Sequence, residues 1–76
     1  MSPKLPVVSG PEVVTVLKKL GFVERRWTGS HCILSKPDFP LNISVPCHGR
    51  RPLKAGTLRR ILRDCQLTIE QFCQFL

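Results

Sequence analysis

Between Gly21 and Pro46 three stretches carry the side chains of β-strands, Phe22 to Trp27, His31 to Ser35 and Leu41 to Val45, and the links joining them are three and five residues long. A parallel crossover consumes a dozen residues or more, so links this short can only close antiparallel hairpins. The first link is Thr28-Gly29-Ser30 and the second is the proline-flanked run Lys36 to Pro40. The third stretch alternates, with Leu41, Ile43 and Val45 on one face and Asn42 and Ser44 on the other, which predicts one buried and one wet face. In the second stretch alternation sets His31, Ile33 and Ser35 against Cys32 and Leu34. We expect Cys32 and Leu34 to face inward and His31 to stand on the open side.

Helices flank this sheet. Ser9-Gly10-Pro11-Glu12 reads as a capping box with proline in the first turn, Val13, Val16, Leu17 and Leu20 follow helical spacing, and Gly21 supplies the left-handed stop. After Pro46 a loop holding Cys47, His48, Gly49, Arg50, Arg51 and Pro52 leads to a second helix with the stripe Leu58, Ile61, Leu62 and Cys65. Thr68 and Gln71 have the spacing of a further capping box, followed by Ile69, Phe72, Cys73 and Leu76 on one stripe. Cys65 and Cys73 are read as packing residues. The expected class is α+β, α-β-β-β-α plus a C-terminal helix, with the helices on one face of a three-stranded antiparallel sheet, an arrangement shared by double-stranded RNA-binding domains. Its 76 residues leave room for one domain, 1–76, burying roughly 60% of the surface its unfolded chain exposes.

Twelve Lys and Arg against five Asp and Glu give a net charge of +7, a field that draws polyanions. Arg50, Arg51, Lys54, Arg59, Arg60 and Arg63 follow one another with no acid between them. Nucleic acid is the first partner such a run suggests, an acidic protein the second, and a solvated helix face the plain alternative. No apolar run approaches the roughly 20 residues that cross a membrane, and no secretory signal is legible. The chain therefore reads as cytoplasmic, with Cys32, Cys47, Cys65 and Cys73 reduced.

His31 and His48 are the side chains suited to proton transfer near neutral pH. His31 opens a strand just after a tight turn, where a large substrate can reach it. His48 sits in the loop feeding the basic helix, either as a second proton-transfer group or as a loop residue bonding a backbone carbonyl. Arg50, Arg51 and Lys54 cluster where a helix N-terminus already attracts anions, and Arg59 follows on the helix. No metal is expected: His31 and Cys32 point to opposite faces of a strand, and zinc-ligand spacings are missing. No cofactor is implied, and a cysteine nucleophile lacks a recognisable orienting group.

Gly29-Ser30-His31-x-Ile33, then Ile43-x-Val45-Pro46-x-His48-Gly49, then Leu53-Lys54-x-Gly56-Thr57-Leu58-Arg59-x-Ile61-Leu62 together resemble HicA, a family of RNA-cleaving toxins. The resemblance implies a fold like that of double-stranded RNA-binding domains, ribosome-independent cleavage of mRNA, and His31 at the catalytic position. Gly29 and Ser30, in the turn before it, join Arg50, Arg51, Lys54 and Arg59 as expected RNA-binding positions. It also implies a HicB-type antitoxin that masks the active face and often brings its own DNA-binding domain, so that DNA is met only through the partner. Many relatives carry a second histidine after the first, and Cys32 stands there in this chain. The leader before Ser9, with Pro3 and Pro6, is longer than many relatives need.

RNA carries its own nucleophile, the 2′-OH, so cleavage without a metal requires only proton transfer and stabilised charge on phosphate. The competing readings are a non-catalytic RNA-binding module with the same cations, and an interaction protein whose basic face serves an acidic partner.

Overall fold

The capping box opens the first helix as its spacing predicts. In this computed structural model, which describes residues 4–76, α1 spans Gly10–Lys19. Pro3, one of the two leader prolines noted above, lies outside the described residues. The Glu12 N–H donates to Ser9 Oγ at 3.3 Å, and the Ser9 N–H donates to the Glu12 carboxylate at 3.0 Å. Those bonds favour the ionised acid and hold the Glu12 carboxyl below its ordinary range. Gly21 ends the helix at φ +101°, with its own N–H on Lys18 O and the Phe22 N–H on Leu17 O, the paired bonds of a Schellman stop.

Three strands follow, β1 (Val23–Thr28), β2 (His31–Ser35) and β3 (Ile43–Pro46), in a sheet of order β1-β2-β3, antiparallel throughout. The first hairpin closes through Gly29 and Ser30 alone, because Thr28 pairs with His31. Gly29 at φ +60° provides the turn that matches strand twist. β1 is not regular. Its register runs Val23 to Ser35 and Glu24 to Leu34, then shifts by one to Arg26 with Ile33, Trp27 with Cys32 and Thr28 with His31. Arg25 is the extra residue of a β-bulge, and everything after it has changed face.

Helices α1 and α2 (Ala55–Asp64) lie on one side of the sheet, and both contact β3. Cys32, Leu34, Ile43 and Val45 point down into them and meet Val13, Val16, Leu17, Leu58 and Ile61 in a single buried cluster. A short α3 (Ile69–Cys73), capped by Thr68 and Gln71, adds Phe72 to that cluster. The arrangement is α-β-β-β-α-α, the expected α+β class with the double-stranded RNA-binding-domain topology. No helix of the described residues is long and apolar enough to cross a membrane.

Two details depart from expectation and two have no counterpart in the sequence reading. β3 begins at Ile43, where pairing with Leu34 of β2 starts, and Leu41 lies before the strand and is 47% exposed. Cys73 is exposed and Leu76 is 53% exposed, since α3 ends after five residues and Phe75 instead packs on the core. α2 stops without a glycine: Gln66 adopts φ +60° while its N–H and that of Leu67 bond back to Arg63 O and Leu62 O. Finally, Val8 O accepts from the Leu53 N–H at 2.8 Å and Ser9 bridges to Pro52, so the segment before α1 pairs with the segment before α2.

Gly10 is what lets these parts close. A β-carbon built there meets Pro46 O at 2.0 Å and the Cys47 Cα at 2.8 Å, both backbone atoms of the strand end on which α1 rests. Gly10→Ala is expected to lower stability by about 3 kcal/mol, since neither atom can yield without moving β3. Gln66→Gly should act the other way, by roughly 0.5–1 kcal/mol, because it relieves a left-handed side chain at some cost in chain entropy. Urea or thermal melts of the two variants beside the parent check both signs.

Candidate functional site

His31 is exposed on the face of the sheet that the helices leave open, the side expected for it, and Cys32 next to it is fully buried on the other. Its cross-strand neighbours are Thr28 on β1 and Pro46 on β3. In an antiparallel pair such residues present their side chains to the same face, roughly 5 Å apart at Cβ. The next row on this face is Arg26, Ile33 and Ser44, and the one beyond it begins with Val23 and Ser35.

Pro46 links this face to a cleft of about 330 Å³ lined by Pro46, His48, Arg51, Pro52, Leu53, Lys54 and Thr57. The loop that forms it is a tight turn in which the Arg51 N–H donates to His48 O at 3.1 Å and Gly49 takes φ +60°. Lys54 is the N-cap of α2 and makes no side-chain capping bond, and no acid lies in the first turn. The N–H groups of that turn therefore add their dipole to the cations of the cleft. His48, Arg51 and Lys54 are all exposed.

The other residues singled out from the sequence fall nearby or apart. Gly29 and Ser30 form the turn next to His31, where Ser30 O accepts from the Cys47 N–H at 2.8 Å and so ties the turn to the end of β3. Arg50 is exposed at the tip of the His48–Arg51 turn. Arg59 lies elsewhere, on a groove of about 520 Å³ that it shares with Lys4, Leu5, Pro6, Leu53 and Ile69. Thr57 in the cleft and the arginines of β1 were not legible as site residues. Thr57 becomes so only once the α2 N-terminus is known to face the His48 turn.

The bulge explains the arginines and also Trp27. Regular alternation would set Glu24 and Trp27 on opposite faces, yet the Trp27 indole N–H donates to the Glu24 carboxylate at 3.2 Å, and Glu24 pairs with Lys18 of α1 at 3.7 Å. Both therefore sit on the helix side, along the sheet edge, where Trp27 is still 51% exposed and is no core residue. Arg25 goes the other way. Its Nε donates to Ser35 Oγ at 2.6 Å, on the face that carries His31.

Cys32, Cys47 and Cys65 are poor nucleophiles here. Burial, with Glu24 close by, pushes the Cys32 thiol up to about 11, burial does the same for Cys65, and Cys47 is raised for the same reasons as Cys32. His31 and Cys32 cannot hold one ion from opposite faces of a strand. Among the described residues no group of three His, Cys, Asp or Glu comes close enough to ligate a metal.

A family model described as the HicA toxin of bacterial toxin-antitoxin matches residues 10–67, from the first residue of α1 to just past the end of α2. No curated protein is similar enough to the chain to count as a relative.

The thiols offer a direct check on this arrangement. Native protein treated with iodoacetamide at pH 8 should be alkylated first at exposed Cys73, while Cys32 and Cys65 stay unlabelled until denaturant is added. Peptide mass mapping reads the order, and labelling of Cys32 at the rate of Cys73 would contradict an inward-facing Cys32.

Proposed function

The chain belongs to the HicA toxin family of bacterial toxin-antitoxin systems, and from that membership we propose that it is a metal-independent endoribonuclease that cleaves mRNA without the ribosome, with His31 as its catalytic residue. The observation that carries the reading is the exposure of His31 on the open face of the sheet, directly across from Pro46 on the rim of a cationic cleft. A proton-transfer group and phosphate ligands stand beside each other there, and the chemistry of RNA needs little else.

In the cleavage step the 2′-oxygen attacks the adjacent phosphorus while the bond from phosphorus to the 5′-oxygen breaks. One proton leaves the 2′-OH and one is delivered to the departing oxygen. His31 handles one of these transfers, as general base or general acid, and His48 on the same cleft is the candidate for the other. Arg51 and Lys54, with Arg50 at the turn tip, hold the phosphate and offset its growing negative charge, helped by the free N–H groups at the start of α2. Gly29 and Ser30 leave room for the backbone to pass close to His31. Arg59, on its separate groove, would contact RNA beyond the scissile step.

As a toxin of a toxin-antitoxin pair the protein has an antitoxin. We take this to be a HicB-type protein that covers the cationic face, with DNA contacted only through it.

His31→Ala is expected to lower the rate of cleavage of single-stranded RNA in EDTA by about 10²–10⁴-fold while leaving RNA binding intact. Gel analysis of end-labelled RNA reads the first effect and filter binding the second. Binding without cleavage by the parent would make the protein a non-catalytic RNA-binding module. Equal cleavage by both would move the chemistry away from His31.

A further inference from the structure

The bulge at Arg25 does more than bend an edge strand. Read as a regular strand, Val23 to Thr28 would divide its two arginines between the faces of the sheet. Because Arg25 and Arg26 together oppose Ile33, both stand on the open face. The Arg25 bond to Ser35 Oγ and the Glu24 pairing with Lys18 and Trp27 establish the two sides independently. Glu24 is the one acid in the three strands, and the same bulge leaves it on the helix side. The open face is thus cationic and carries no carboxylate from the sheet.

We infer that this open face is the binding surface for the substrate strand, with Arg25 and Arg26 holding the phosphates next to the one at His31, and that the strand it takes is single-stranded RNA. The inference rests on the ribonuclease reading and names the part of the substrate that the His48 cleft does not hold. Successive rows on one face of a sheet are about 7 Å apart, the scale of one nucleotide step in an extended strand. From His31 the next row carries Arg26, and the Arg25 side chain reaches Ser35 in the row beyond, so a backbone crossing the face meets a cation at each step away from the reacting phosphate. Ile33 lies half-buried between Arg26 and Ser44, and Thr28, Ser35 and Ser44 offer hydroxyls. An apolar side chain ringed by hydroxyls suits unpaired bases, whose faces and pairing edges a duplex keeps stacked and paired inside. Neither arginine has a carboxylate partner among the described ion pairs, so neither must be released before it binds phosphate.

The test uses the full chain carrying His31→Ala, so that RNA survives, and a fluorescein-labelled 20-nucleotide polyuridine, alone or annealed to polyadenine, read by anisotropy over a salt series. Arg25→Ala and Arg26→Ala are each expected to weaken binding of the single strand roughly five- to tenfold and to flatten the log–log salt slope by about 0.7, the loss of one phosphate contact. Arg63→Ala, which removes the same charge from the exposed side of α2, should change affinity less than about twofold. Both β1 arginines are exposed, so thermal melts of the variants should overlay the parent. Undiminished binding in both arginine variants, with the single strand still bound by the parent, overturns the inference and leaves the ribonuclease reading standing. A drop as large for Arg63→Ala, or tighter binding of the duplex than of the single strand, overturns it as well. Failure of the parent to bind either RNA would remove the ribonuclease reading itself.

Discussion

A chain this small has apolar side chains enough to cover a sheet on one side only. The inward residues Cys32, Leu34, Ile43 and Val45 take up both long helices, and α3 contributes Phe72 to the same layer. Among the described residues no helix covers the opposite face, and whatever the strands present there is available to a ligand. The exposure of His31 is therefore a consequence of core economy. Its strand parity is set by the burial of Cys32 and Leu34 on either side of Ile33, because a one-residue slip would bring His31 under the helices and put two core residues in water.

Much of this was legible in advance because it depends on local periodicity. The Ser9 and Thr68 caps, the Gly21 stop and the two hairpins follow from spacing alone, whereas spacing sets His31 opposite Cys32 without deciding which face of β2 is buried, since Ile33 and Leu34 are both apolar. What escaped depends on contacts distant in sequence or on a break in the period. Gly10 looks like any residue of a helix first turn until Pro46 O is found against it. The pairing of Val8 and Ser9 with Pro52 and Leu53 joins two stretches that have no strand pattern. Gln66 occupies a position where glycine would have been the readable signal. The bulge is the most consequential omission. Glu-Arg-Arg-Trp gives no alternation to read, and where counting by two would set Val23 and Trp27 on one face, the single extra residue places them on opposite faces.

The distribution of the acids also explains how a chain of net charge +7 keeps a usable cationic surface. Glu12 is bound within the Ser9 cap, Glu24 lies with Lys18 and Trp27, and Asp64 sits between Arg60 and Arg63 near the end of α2. These pairs are exposed and add little to stability one by one. Their effect lies in placement, for they satisfy the acids at helix ends and at the sheet edge, away from His31 and the Lys54 cleft. Mutual repulsion among the unpaired cations opposes folding in a domain whose core is already thin.

If the antitoxin covers the cationic face as proposed, that repulsion gives it a physical role beyond obstruction. A partner that brings carboxylates to the open face and the cleft neutralises charge that the folded toxin concentrates, so the bound state relieves a strain which the free state must carry. RNA phosphates offer the same relief in the same places. On the proposed reading, inhibitor and substrate compete for one set of cations, and the antitoxin need not contact His31 itself to exclude RNA. Covering Arg26, Lys54 and the turn at Gly49 would suffice, because a backbone that cannot lie across the face cannot present its 2′-OH to the histidine.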